Sequence, residues 1–268
     1  MWTTLSLLAS LSLASLGLAA GDSGQLTLTD VRTTYGILGA ARPDNKFLSG
    51  DAFVVSFNME GAQAKGDKIR YAIGMEVQDV SGKVLYKQDP VASETNNPGG
   101  DKKIPAFARL DIGTEHPAGD YTLKITVADR NRGVTQDLTR SYQVLPPAFG
   151  IVRPAITSDA DGKKPTAAIR KGKPACLNFA AVGFGWDKAK GQPHLTATMR
   201  VLDEDGKSVL PRPSSGGIDQ DVPRGSKAIP MQFEVTLQKA GKFTIELEAV
   251  DDVTGEKSSL SLPIRVAG

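Results

Sequence analysis

Residues 118–129 read AGDYTLKITVAD, and residues 240–251 read AGKFTIELEAVD. In the first stretch Tyr121, Leu123, Ile125 and Val127 alternate with Thr122, Lys124 and Thr126. In the second, Phe243, Ile245, Leu247 and Ala249 alternate with Thr244, Glu246 and Glu248. Successive side chains of an extended chain point to opposite faces of a sheet, so this period of two puts one face in a core and the other in water. Each stretch opens on Ala-Gly and closes on Asp, and the second begins 122 residues after the first.

Working outward, a shift of about that size overlays the chain on itself. GDAFVVSF (50–57) falls on GKPACLNF (172–179), and Met75, Val77, Asp79 and Gly82 fall on Met199, Val201, Asp203 and Gly206. Ala106, Ala108, Leu110 and Ile112 match Met231, Phe233, Val235 and Leu237. Ser81-Gly82 and Asp205-Gly206 read as hairpin turns. The shared residues are turn glycines and alternating apolar positions, so what is duplicated is a scaffold. Helical periodicity is nowhere sustained. The pattern predicts an all-β chain of two tandem antiparallel β-sandwich domains, residues 22–147 and 148–268, of about seven strands each. The joint, Leu145-Pro-Pro-Ala-Phe-Gly150, is short and stiff; it predicts end-to-end modules at a restricted angle, with Phe149 and Ile151 packed at the junction.

Gly119-Asp-Tyr-Thr-Leu-Lys-Ile125 resembles the penultimate strand of immunoglobulin-like and fibronectin-type sandwiches. The resemblance implies that architecture, with the Tyr121 hydroxyl pinning the preceding corner. Copy two has Phe243 at that place, the family's disulfide positions are apolar (Leu123, Ile245), and its strand-three tryptophan is absent. The overall pattern is similar to exported bacterial proteins with tandem sandwich modules.

Residues 5–18, LSLLASLSLASLGL, are apolar or small and uncharged, and Ala19-Ala20-Gly21 follow. This reads as a signal peptide over residues 1–21, shorter than the ~20 apolar residues of a membrane span. The alternative is an uncleaved N-terminal anchor. The signal predicts a secreted, periplasmic or cell-surface protein. The formal charge is +2 overall, and neither module holds the basic surplus that a phosphate backbone demands, which argues against nucleic acid.

Groups able to do chemistry are few. His116 and His194 are the only histidines, each in a loop, and Cys176 is the only cysteine. No CxxC or paired histidine offers a zinc site, and Ala175 and Leu177 place Cys176 inside a strand as an inert thiol. Asp159-x-Asp161-Gly162 and Asp203-Glu204-Asp205-Gly206 are acidic turns and the calcium candidates. Neither carries a full ligand loop, and Asp and Gly are turn residues in their own right. Asp129-x-Asn131 and Asp251-Asp252 occupy matching places after the penultimate strand. No cofactor is implied, and an enzyme is not expected.

Trp186, with Phe184, is the one asymmetric aromatic feature, in the loop 183–193 of copy two. It marks a ligand contact or covers a core. Residues 86–103 and 208–228, rich in Pro, Gly, Ser and charge, read as corresponding long loops. These features together predict a non-catalytic extracytoplasmic binding or structural protein that presents loops and sheet edges to a protein partner. The alternatives are a carbohydrate-binding accessory module using Trp186 and an envelope chaperone-like protein. The second is disfavoured because no strand shows the marked exposed apolar edge needed to template a client.

Overall fold

The computed structural model describes residues 25–268, so the expected signal peptide, residues 1–21, lies outside the described residues. The chain first forms β1 (Thr27–Thr34), β2 (Lys46–Phe47), β3 (Ala52–Glu60), β4 (Ala64–Lys65), β5 (Lys68–Asp79), β6 (Val84–Asn96), β7 (Lys103–Asp111), β8 (Gly119–Asp129) and β9 (Val134–Val144). There follow β10 (Gly150–Thr157), β11 (Ile169–Arg170), β12 (Pro174–Val182), β13 (Leu195–Leu202), β14 (Ser214–Ile218), β15 (Ala228–Thr236), β16 (Gly241–Asp251) and β17 (Lys257–Ala267). No helix occurs among the described residues, and none therefore is long and apolar enough to cross a membrane.

Sheet β1-β3-β7 faces sheet β2-β9-β8-β5, to which β4 and β6 add on β5. In the second half, β10-β12-β15 faces β11-β17-β16-β13-β14. Among the described residues no strand of β1–β9 pairs with a strand of β10–β17. The alternation in β8 and β16 is the cause of their placement: Leu123, Ile125, Val127, Ile245, Leu247 and Ala249 are buried, and their neighbours face outward. One apolar cluster joins Phe53, Phe57, Met59, Leu123, Ile125 and Tyr142. Another joins Leu177, Met199, Val201, Ile245 and Leu247. Each fully buried Leu, Ile or Val contributes about 1.5–3 kcal/mol.

The two halves are alike in their irregular backbone as well. The first strand of each half carries a bulge, between Thr29 and Arg32 in β1 and between Val152 and Ala155 in β10. At the bulges Asp30 and Arg153 adopt φ of 51° and 54°, positive values uncommon for residues other than glycine. Asp129 and Asp251, 2% and 0% exposed, serve equivalent turns. Asp129 Oδ2 accepts the Gln63 N–H at 2.8 Å, and Asp251 Oδ2 accepts the Gly185 N–H at 2.7 Å. The Tyr121 hydroxyl donates to the Pro117 carbonyl at 2.9 Å, the corner bond that the resemblance implies.

Contact between the halves is wider than the Pro-Pro joint predicts. Ile151 packs on the clusters of the second half, and Phe149 packs into the end of the second core, against Ala181, Leu195, Val222 and Ile229. Tyr35 and Ala40 of the first half also pack on the second core, and Leu48 packs on Val152, Ala180 and Val182. At the centre lies Asp51, 2% exposed. Its Oδ1 accepts the N–H groups of Ala52 and Arg153, both at 2.8 Å, and its Oδ2 accepts Arg42 Nη1 at 2.8 Å. Arg153 in turn donates from Nε to the Gly50 carbonyl at 2.6 Å. The β10 bulge thus aims Arg153 across the junction; re-aiming a side chain is what bulges do.

Two expectations are corrected. Residues 86–96 belong to strand β6, paired along β5, and residues 214–218 form β14 on β13. Neither segment is simply a loop. β6 escaped the period-two signal because it buries neither face: all thirteen residues are exposed save the half-buried Gln88 and Thr95. Its proline is accommodated at a bulge, where Asp89 and Pro90 lie opposite Gly74 on an edge strand.

Candidate functional site

Trp186 and Phe184 come together, ring centroids 6.1 Å apart, both half-buried. They pack against the cluster of Phe149, Ala181, Leu195 and Val222. Gly183 holds the loop in place with φ of 69°, and an added Cβ there would run into the Ala148 carbonyl. The pair lines a hollow of ≈ 420 Å³ that also touches Leu48, Thr114 and Lys227, at the junction of the halves. The indole therefore covers the end of the second core, and its packing leaves no fully exposed flat ring.

The two histidines stand apart. His194 is exposed, with Nε2 3.6 Å from Asp252 Oδ2. His116 is half-buried rather than a plain surface residue. Its ring lies 4.7 Å from that of Tyr121, and its enclosed Nε2 has no hydrogen-bond partner among the described residues. Burial lowers its pKa from the usual histidine value. It borders a hollow of ≈ 330 Å³ with Leu85, Tyr86, Leu110 and Tyr142, between β6 and β7. Burial pushes the Tyr142 phenol up to about 12. Cys176 is buried, and desolvation first, then Glu234 and Asp159, raises its pKa, the opposite of an activated nucleophile.

The acidic turns use their carboxylates internally. Asp159 Oδ1 accepts the Lys164 N–H at 2.9 Å, and Asp161 pairs with Lys163 at 3.3 Å. Asp203 Oδ1 accepts the N–H groups of Asp205 and Lys207 at 3.1 and 2.9 Å. Asp79 does the same for Ser81 and Lys83, which marks a repeated hairpin cap. No group of three or more His, Cys, Asp or Glu positioned for a metal occurs among the described residues.

The exposed feature that alternation missed is the edge of β6. Nine large apolar side chains are exposed among the described residues, and five of them, Val80, Val84, Leu85, Tyr86 and Val91, lie on the β5–β6 hairpin. β6 pairs with β5 on one side only, so its outer backbone groups have no strand partner among the described residues. The matching strand of the second half, β14, has five residues, SSGGI, and ends that sheet without such a row. Near its C-terminal end β6 is knit by Glu94, which accepts Lys68 Nζ at 2.7 Å and Arg70 Nε at 2.8 Å. Those two hydrogen bonds, Lys68 first, hold the Glu94 carboxyl below its usual pKa. Lys87 and Asp89, at its middle, have no ion-pair partner among the described residues. A second opening, ≈ 560 Å³, lies between segment 35–41 and the second sandwich, lined by Tyr35, Leu38, Ile156, Phe243, Leu262 and Ile264.

No family model matches the chain, and no curated protein matches it. Among solved structures, the C-terminal domain of the AgI/II polypeptide BspA of Streptococcus agalactiae aligns at 9% identity and a TM-score of 0.30, over 88% of this chain and 99% of that one. Red sea bream transglutaminase aligns at 10% identity and a TM-score of 0.26, over 91% of this chain and 31% of that one. This chain thus spans about a third of the transglutaminase.

Proposed function

We propose that this chain is a non-catalytic, extracytoplasmic binding or structural protein. In this reading two sandwiches, residues 22–147 and 148–268, are exported behind residues 1–21 and hold a sheet edge out to a protein partner. The observation that carries it is β6. Lys87, Pro90 and the bulge blunt its middle, but this thirteen-residue edge strand keeps exposed apolar side chains and open backbone groups on either side, which suits it to strand addition by a partner. The Asp51–Arg153 contact supports the same reading, since it fixes the second sandwich against the first and gives the edge a rigid mount.

A second reading, an envelope chaperone that templates a client strand, gains from the same strand, because the missing exposed edge was the argument against it. The carbohydrate reading gains nothing comparable, with Trp186 packed on the second core. The test is capture from an envelope extract by the immobilised full chain. Val91→Lys on β6 is expected to abolish capture, and Ser215→Lys on β14 to leave it intact. Capture that survives Val91→Lys unchanged would sink the reading.

A further inference from the structure

We propose that the partner of β6 is a second copy of this chain, paired antiparallel through β6 about a two-fold axis at Gln88. This rests on the reading of β6 as a docking edge and adds the identity of what docks there. In such a pairing the residue at 88 minus n faces the residue at 88 plus n of the other copy. Read from Gln88, Lys87 then meets Asp89, Tyr86 meets Pro90, Leu85 meets Val91, and Val84 meets Ala92. Leu85 and Val84 meet apolar residues, the bulged Pro90 is turned to the other face from Tyr86, and the charges meet with opposite sign, twice over by symmetry. Cross-strand pairs of these kinds each contribute roughly 0.2–1 kcal/mol. A two-fold interface must be self-complementary in this way.

Three observations favour a second copy over an unrelated strand. Lys87 and Asp89, the pair that would face each other, have no ion-pair partner among the described residues, whereas Lys68, Arg70 and Glu94 farther along the hairpin are already paired. The apolar row Val84, Leu85, Tyr86 and Val91 flanks that charged pair on both sides. The homologous edge β14 has neither row nor charges, so the feature does not follow from the duplicated scaffold. The strand is irregular both at Asp89-Pro90, near the axis, and at Leu85, and Pro90 has no N–H to give. The interface is therefore small, at the low end of the size range, and the association weak, about micromolar or weaker.

Sedimentation velocity of the full chain from ~5 to ~500 μM, the span that brackets such an affinity, reads the proposal directly. The expected result is a concentration-dependent monomer–dimer equilibrium. Lys87→Asp, which sets like charges opposite each other twice, weakens it about tenfold. Adding Asp89→Lys in the same chain restores it, a rescue that general loss of fold would not give. Gln88→Cys, with Cys176 buried, yields a disulfide-linked dimer under mild oxidation where the wild type does not. A chain that stays monomeric throughout overturns the proposal, as does a dimer indifferent to Lys87→Asp. If the chain is monomeric and Val91→Lys still abolishes capture of an envelope partner, self-pairing fails while the docking edge stands. If Val91→Lys changes neither, both fail.

Discussion

Removing the Asp51 carboxylate is the perturbation that most directly tests how the two sandwiches are held. Asp51 accepts three hydrogen bonds of 2.8 Å, from Ala52 N, Arg153 N and Arg42 Nη1. Asp51→Ala leaves two enclosed N–H groups and a guanidinium whose side chain is 14% exposed without their acceptor. Breaking such a buried charged contact costs about 3–5 kcal/mol. The loss does not reach the sum of three separate bonds, because Arg42 keeps its 2.7 Å bond to the Lys46 carbonyl and its seat over the Phe47 ring. Asp51→Asn retains an acceptor for the N–H groups but turns an amide donor toward Arg42, at a cost of about 1.5–3 kcal/mol. Urea unfolding followed by far-UV circular dichroism and by Trp186 fluorescence measures both, and Trp186 reports on the second half near the junction. The matching residue in copy two, Lys173, is exposed, and Lys173→Ala serves as control with a change within about 0.5 kcal/mol. If Asp51→Ala costs less than about 1 kcal/mol, or shifts only the first half, the carboxylate does not couple the sandwiches as argued.

Tyr121→Phe removes the bond to the Pro117 carbonyl and is expected to cost about 1 kcal/mol in thermal or urea unfolding; copy two already lives with Phe243 at that place. His116 carries a folded pKa below its unfolded value, so below the ordinary histidine pKa the unfolded state binds the proton first. Stability is then full above about pH 6.5 and falls as the pH drops toward the folded pKa. Melting curves between pH 8 and 5 are expected to show that slope, flattened in His116→Gln; an equal slope in both assigns it to other groups. Gly183→Ala adds strain at a positive φ and a clash with the Ala148 carbonyl, and a marked fall in melting temperature is expected. Millimolar calcium is expected to leave the melting temperature unchanged, because Asp159 and Asp203 already cap backbone N–H groups; a rise would restore them as ligands by mass action.

The acidic turns show how little a carboxylate's place in the sequence says about its use. Asp129 and Asp251 were legible as equivalent positions, but their partners, Gln63 N and Gly185 N, lie 66 residues away in sequence. Nothing local separates a carboxylate that holds a distant loop from one that waits for a cation. Asp51 left a fainter trace, since the overlay of 50–57 on 172–179 sets it against Lys173. A buried charge facing an exposed one in a duplicated scaffold signals a contact that only one copy makes.

The order of amino acids alone settled the all-β class and the buried faces of β8 and β16, because a strand with one face in a core prints its burial as a period of two. Only the tertiary structure decided that residues 84–96 are a strand, since a strand with neither face buried prints no period. It alone placed Tyr35, Leu48 and Asp51 against the second sandwich, because contacts between residues a hundred positions apart depend on how finished sheets meet. The edge on which the proposed function rests belongs to that second class: apart from Pro90, which lacks an N–H, its backbone groups are the same in every residue, and only the neighbours they lack make them a surface.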